Sequence, residues 1–283
     1  MTLLMTKNTK RHLTNWTVCS IIRITDQKGE EIMPRFFVDV SQIEDGIVTL
    51  TGDDAHHISR SLRMAAGEQI TVCDGNGTEY DCELTAFLPD RVCAQILEHR
   101  VADTEPPYRA VVWQALPKGE KLDSIIQKSV ECGAVGIALF ESERCIVRMK
   151  ADDRDRKGDR RNRIALEAAK QCGRGIVPKV ESPIPFAEAV KEAAKADLAL
   201  FCYEGEGTQP LPAVVKAYLA NAPEGVVPQI SVMVGSEGGF SKGEAQLAEK
   251  AGMKLIGLGK RILRTETAAA FVLGCLSYEM ELS

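Results

Sequence analysis

The stretch Gln229-Ile230-Ser231-Val232-Met233-Val234-Gly235-Ser236-Glu237-Gly238-Gly239-Phe240-Ser241 reads as an apolar strand, a glycine-bearing turn and a helix cap in immediate succession. Ser241 followed three residues later by Glu244 is a capping box, so the helix starts at Lys242. Three glycines in five positions allow a tight turn and close backbone approach to a ligand. In open α/β sheets, ligands bind at such carboxyl ends of strands. The loop lacks the Gly-Lys-Ser/Thr ending of a phosphate-binding P-loop and is not GxGxxG. A purely structural glycine turn is the alternative.

Outward from this unit the same alternation continues. Strands are expected at 109–115, 136–140, 198–203, 229–234 and 254–258. Helices are expected at 118–132, 155–172, 185–196, 211–219, 242–250 and 264–280. This pattern predicts an α/β domain with mostly parallel strands. In the closing helix Ala268, Phe271, Val272, Cys275 and Leu276 are spaced to pack on the sheet. Pro106-Pro107 marks a linker, because consecutive prolines block both helix and ladder. Before it, short strands at 35–38, 47–50, 69–73, 78–88 and 91–97 surround one helix at 54–64 and suggest a small β-barrel. The Asp74-Gly75-Asn76-Gly77 turn adds a hairpin signal, since Asn76 and Gly77 both accept positive φ. The chain therefore divides into 1–32, a barrel at 33–103 and the α/β domain at 104–283. Residues 1–32 are polar and aperiodic, and the codons for Lys28-Gly29-Glu30-Glu31 can be purine-rich, like a ribosome-binding site. Met33 is expected to be the native start, with 1–32 an extension ahead of it.

Composition narrows the function. The 283 residues hold no run near the ~18 apolar residues of a membrane span, and no apolar stretch follows the basic N-terminus as a secretory signal would. Nine cysteines without a CxxC pair read as reduced thiols of a cytoplasmic protein. His56-His57 lacks partners at metal-ligand spacing, so no metal is expected. The net charge of −5 is unfavourable for phosphate binding, but it is unevenly distributed. Residues 144–179 carry twelve Lys/Arg against five Asp/Glu, a surplus of 7 that leaves −12 elsewhere. Such a stripe suits RNA docking; a solvated charged helix is the alternative.

Two further segments carry candidate chemistry. Leu258-Gly259-Lys260-Arg261-Ile262-Leu263-Arg264-Thr265-Glu266-Thr267-Ala268 again leads from a strand end into a helix and could hold an adenosine moiety. Arg264, Glu266 and Thr267 lie at the positive end of that helix; simple N-terminal capping is the competing reading. Lys118-Gly119-Glu120-Lys121 opens another helix, on which Lys121 and Lys128 share a face. Together with Arg144 and Arg148 they could contact phosphates, or form an ordinary solvated lysine face.

The ordered set of motifs resembles the RsmE family, bacterial small-subunit ribosomal RNA uridine-N3 methyltransferases of the SPOUT superfamily. It comprises 35–38, His56-His57-Ile58-Ser59-Arg60-Ser61-Leu62-Arg63, 74–77 and Lys118–Asp123 through Gln127-Lys128. Ser142–Cys145, Glu167–Arg174, Gly235–Ser241 and Ile262–Ala268 complete it. The likeness covers Met33 to the end. One departure is Ser236, where the family loop commonly has proline; serine keeps the turn possible and is expected to leave it less rigid without loss of binding. The resemblance implies a PUA-like β-barrel followed by a trefoil-knotted α/β methyltransferase domain, a homodimer, and S-adenosyl-L-methionine bent in the knot. Tyr203, Glu204, Val234, Gly235, Ser236, Glu237, Gly238, Gly239, Leu258, Gly259, Ile262, Leu263 and Thr267 would bind the cofactor. Arg35, His57, Arg60, Arg63, Lys118, Lys121, Lys128, Arg144 and Arg174 would meet 16S ribosomal RNA. Glu266 would take the N3 proton with Arg264 as electrostatic partner, or Arg174 would serve instead. The alternatives are a knotted methyltransferase with another target, such as a ribose 2′-hydroxyl, and a non-catalytic ribosome-assembly factor.

Overall fold

The structure, a computed structural model, describes residues 33–148, 154–223 and 225–283. The reading of residues 1–32 lies outside them. The first unit comprises β1 (Arg35–Phe37), β2 (Ile43–Glu44), β3 (Ile47–Thr51), α1 (Gly52–His56), β4 (Gln69–Cys73), β5 (Thr78–Phe87) and β6 (Arg91–Val101). Its sheet runs β1-β4-β5-β6-β3-β2, antiparallel except for the β1–β4 pair. Alternate residues such as Phe36, Val48, Leu50, Ile70, Val72, Leu84 and Val92 point to one core, which Ala55 and Ile58 close. The expected helix begins two residues early, at Gly52, and relaxes into a π-helical turn over His57–Ser61. Gly75 and Gly77 take positive φ in the 74–77 turn, and Asn76 does not. Asp74 organises it instead: its Oδ1 accepts the amides of Asn76 and Thr78 at 2.8 and 3.0 Å.

The second unit opens with β7 (Arg109–Ala115), α2 (Lys121–Glu131), β8 (Ala134–Glu141), α3 (Arg154–Cys172), β9 (Lys179–Val180) and β10 (Ile184–Pro185). It continues with α4 (Phe186–Ala193), β11 (Leu198–Cys202), β12 (Gln209–Pro210), α5 (Leu211–Leu219), β13 (Gln229–Val234), α6 (Lys242–Lys250), β14 (Lys254–Gly257) and α7 (Thr265–Met280). Every pairing is parallel, in the order β10-β8-β7-β13-β11-β14-β12 with β9 on β8. Parallel strands buried on both faces need apolar residues in succession, as in Leu198–Phe201 and Ile230–Val234. α3, α4 and α6 cover one face with part of α2, while α5 and α7 cover the other. On α7 the buried apolar set is Ala268, Ala269, Val272, Leu273 and Leu276, and Phe271 is 40 % exposed. An apolar helix gives periodicity little to choose a face by.

A short segment after α3 fixes the barrel to the second unit. Gly77 N donates to Gly175 O (3.2 Å), Val177 N to Gly75 O (3.1 Å), and Lys170 pairs with Asp54 at 3.3 Å. Gly175 has no room for a side chain, since an added Cβ would stand 2.3 Å from Ala102 Cβ. Among the described residues no helix is long and apolar enough to cross a membrane.

Candidate active site

β13, β11 and β14 are neighbours, so the loops leaving their carboxyl ends converge. Residues 203–208, 234–240 and 257–264 line most of a cleft of about 700 Å³, within the size of small-molecule sites. Tyr203, Glu204, Val234, Gly235, Ser236, Glu237, Gly238, Gly239, Leu258, Gly259, Ile262 and Leu263 all line it. Gly205, Thr208 and Gly257 do so as well, although no sequence pattern singled them out. Thr267 does not: it is exposed on the first turn of α7, and the buried Thr265 lines the cleft in its place. The Thr265 hydroxyl donates to Gly235 O at 2.7 Å and accepts from Gln114 Nε2 at 3.0 Å. The same Gln114 nitrogen reaches Gly235 O at 3.3 Å. The glycine turn, β7 and the start of α7 are thereby pinned at one buried point. The turn forms with serine at 236, whose carbonyl accepts Gly239 N at 2.9 Å. Gly235 is crowded: a Cβ there would meet Gly239 Cα, Gly239 C and Phe240 Cε2, each at 3.2 Å.

The charges of the cleft lie on the α2 side. Glu237 accepts Lys118 N at 3.1 Å and Lys121 Nζ at 2.9 Å, so it ties the segment leading into α2 to the cleft wall. Burial raises its pKa, but hydrogen bonds from Lys121, its own amide and Lys118 outweigh this and hold it below the usual carboxylate value. Arg144 Nη1 donates to Gly238 O at 2.9 Å. Arg264 lines the cleft with its side chain 84 % exposed. Glu266 sits just behind that lining. Its Oε1 is 3.9 Å from Arg264 Nη1 and its Oε2 is 3.9 Å from Lys121 Nζ. Oε2 is buried and makes no hydrogen bond.

A family profile described as an RNA methyltransferase domain matches residues 104–277, and one described as an RNA methyltransferase PUA domain matches 50–97. The chain is 34 % identical over 254 residues to the ribosomal RNA small subunit methyltransferase E of Bacillus subtilis, covering 88 % of this chain and 98 % of that one. The chain belongs to this RNA methyltransferase family. The protein of the same name from Synechocystis is 33 % identical over 248 residues, covering 87 % and 78 %. A solved methyltransferase E from Neisseria gonorrhoeae, bound to S-adenosylmethionine, superposes with a TM-score of 0.72 at 30 % identity, covering 88 % of this chain and 98 % of that one. The architecture is thus a PUA-like β-barrel followed by the knotted α/β domain of the SPOUT methyltransferases. S-adenosylmethionine fits the residues present, because the cleft wall is glycine-rich backbone at 235, 238, 239, 257 and 259 with no side chain to displace.

The cations expected to meet RNA in this methyltransferase separate into two groups. Lys118, Lys128, Arg144, Arg60 and Arg63 are exposed, and the half-buried His57 packs edge-on against Phe36. Arg35 and Arg174 are committed inward. The Arg35 guanidinium is bonded to Glu79 and to Cys73 Sγ at 3.3 Å. Arg174 is 3 % exposed, grips Glu105 and donates to Val130 O and Ala134 O. An arginine is indistinguishable in sequence from an RNA ligand when its carboxylate partner lies 44 or 69 residues away. Parts of the basic stripe are also internally paired, Arg160 with Asp123 and Lys170 with Asp54.

Proposed function

We propose that the protein methylates N3 of a uridine in 16S ribosomal RNA within the small subunit, using S-adenosylmethionine, as a cytoplasmic homodimer. The observation that carries this reading is the convergence of three glycine-bearing loops on one cleft beside exposed cations, in a chain homologous over most of its length to small-subunit rRNA methyltransferases. The loops at 203–205, 234–239 and 257–263 would hold the cofactor, with Thr265 in place of Thr267. When bound, the cofactor supplies an electrophilic methyl group on a sulfonium. The protein's part is to align the base, exclude water and take up the N3 proton. Uracil N3 lies on the pairing edge and keeps its proton at neutral pH, so the base has to be unpaired and deprotonated. Glu266 is the proposed acceptor, because its carboxylate lies between two cations of the cleft lining and its Oε2 has no hydrogen-bond partner. Arg264 is its electrostatic partner. Arg144 would meet phosphates at the cleft, Lys118 and Lys128 beside and along α2, and Arg60, Arg63 and His57 on the 33–103 barrel. A dimer is supported by Phe271, Tyr278 and Leu282, exposed apolar side chains seven and eleven residues apart at the end of the chain.

Mass spectrometry of nucleosides from small subunits treated with the protein tests the reading. The expected product is 3-methyluridine; a 2′-O-methylated nucleoside overturns it. Glu266→Gln is expected to lower turnover by about 10²–10⁴-fold while calorimetry shows cofactor binding retained. Normal turnover in both Glu266→Gln and Arg264→Ala defeats the assignment.

A further inference from the structure

We infer that Lys121, Glu266 and Arg264 together read the pairing edge of uracil, and that Lys121 is a catalytic residue holding the carbonyl oxygen beside N3 as negative charge gathers there. The inference rests on the uridine-N3 reading above.

The pairing edge of uracil presents acceptor, donor, acceptor: O4, N3–H and O2. The structure sets a complementary row across the start of α7. Lys121 Nζ lies 3.9 Å from one oxygen of Glu266, and Arg264 Nη1 lies 3.9 Å from the other. This is donor, acceptor, donor, with both donors in the cleft lining and the carboxylate between them just behind it, its side chain 16 % exposed. Cytosine, with an acceptor at N3 and a donor at N4, would face like against like at two of three positions.

Lys121 differs from its neighbours in a way that suits catalysis more than phosphate binding. Lys118 and Lys128 are exposed at the surface, where a lysine gains most from a mobile phosphate contact. Lys121 is 38 % exposed and hydrogen-bonded to Glu237 at 2.9 Å, so its position is fixed before substrate arrives. An ammonium carries three donors, and the bond to Glu237 uses one. At 3.9 Å its approach to Glu266 is too long for a hydrogen bond, which leaves a proton for a ligand. Donors fixed in advance stabilise developing charge most effectively, since they need not reorganise during reaction.

The step balances. The N3–H bond breaks and its proton passes to the Glu266 carboxylate. The electron pair remains on the base, spread over N3 and the carbonyl oxygens held by Lys121 and Arg264. N3 uses that pair to bond the methyl carbon as the carbon–sulfur bond breaks, with its electrons left on sulfur as a neutral thioether. One carboxylate charge and one sulfonium charge disappear together.

The test compares wild type, Lys121→Ala and Lys121→Arg on RNA carrying either uridine or 5-fluorouridine at the target, whose N3–H is more acidic. Lys121→Ala is expected to lose about 10²-fold in kcat, with cofactor affinity and KM for RNA unchanged. The 5-fluorouridine RNA should recover much of that loss while changing wild type little, and Lys121→Arg should keep most of the rate. A normal kcat with raised KM and a shallower salt dependence makes Lys121 a phosphate contact and overturns the inference. Equal losses on both RNAs, or lost cofactor binding, reduce it to a clamp on Glu237 and overturn it too. Wild-type product other than 3-methyluridine removes the underlying reading. 3-Methyluridine made at normal kcat by Lys121→Ala removes this inference alone.

Discussion

Replacing Gly175 with alanine tests how the barrel is held to the methyltransferase domain. The backbone of Gly175 is not in the left-handed region, so alanine is tolerated conformationally and only space is at issue. The added Cβ would stand 2.3 Å from Ala102 Cβ and 3.6 Å from Gly77 Cα, and the first distance is more than 1 Å short of ordinary contact. Ala102 is buried just after β6, and its amide donates to Gly77 O at 2.8 Å, so the clash bears on the 74–77 turn through that bond. Overpacking of this kind costs about 1–3 kcal/mol. Weakening the Gly77–Gly175 and Val177–Gly75 hydrogen bonds adds roughly 1 kcal/mol. A total of about 2–4 kcal/mol lowers Tm by about 4–16 °C for a domain of this size. Calorimetric melting of Gly175→Ala measures the loss, and Ala102→Gly in the same chain should return most of it by removing the colliding atom. Cofactor affinity, proposed to rest on the distant loops at 203–205, 234–239 and 257–263, should stay near wild type while methylation of RNA falls. Gly175→Ala melting with wild type, or no rescue by Ala102→Gly, would refute the packing argument.

Gly235→Ala should weaken cofactor binding by about tenfold or more, because about 1–3 kcal/mol of crowding falls on the turn itself; titration calorimetry reads it. Arg174→Ala breaks a buried pair and should destabilise the fold by about 3–5 kcal/mol, with no change in the salt dependence of RNA binding measured below its melting point. The Glu237 clamp has a defined pH sign. Its folded pKa is depressed, so its contribution is complete above the unfolded carboxylate value of about 4.3 and is lost as pH falls through the folded value. Stability of wild type minus that of Glu237→Gln, followed by melting from pH 7 down to 3, should shrink only at the acid end.

The strands and helices with sharp chemical borders were legible to the residue. β7, α5, β13 and α6 lie between prolines, glycines or a capping box, and their apolar content is confined between those marks. β9, β10 and β12 have two residues each, too few for any period to register. The π-helical turn at 57–61 has no sequence mark in a helical pattern that continues through it. In the site, glycines directly after apolar strands disclosed two of the three loops. The choice between Thr265 and Thr267 was not legible. Both threonines flank Glu266 at a helix start, and only the depth at which α7 meets Gly235 decides which one is buried. Arg35 and Arg174 misled for a related reason, since their carboxylates arrive from other strands and from the linker.

The bond between Thr265 and Gly235 also bears on when the enzyme becomes competent. The third wall of the cleft, 257–264, is held only once α7 is seated under the glycine turn. A chain in which α7 is unseated keeps two walls of the cleft and lacks the third. Completion of the pocket is therefore tied to completion of the fold, and a complete pocket reports a seated last helix.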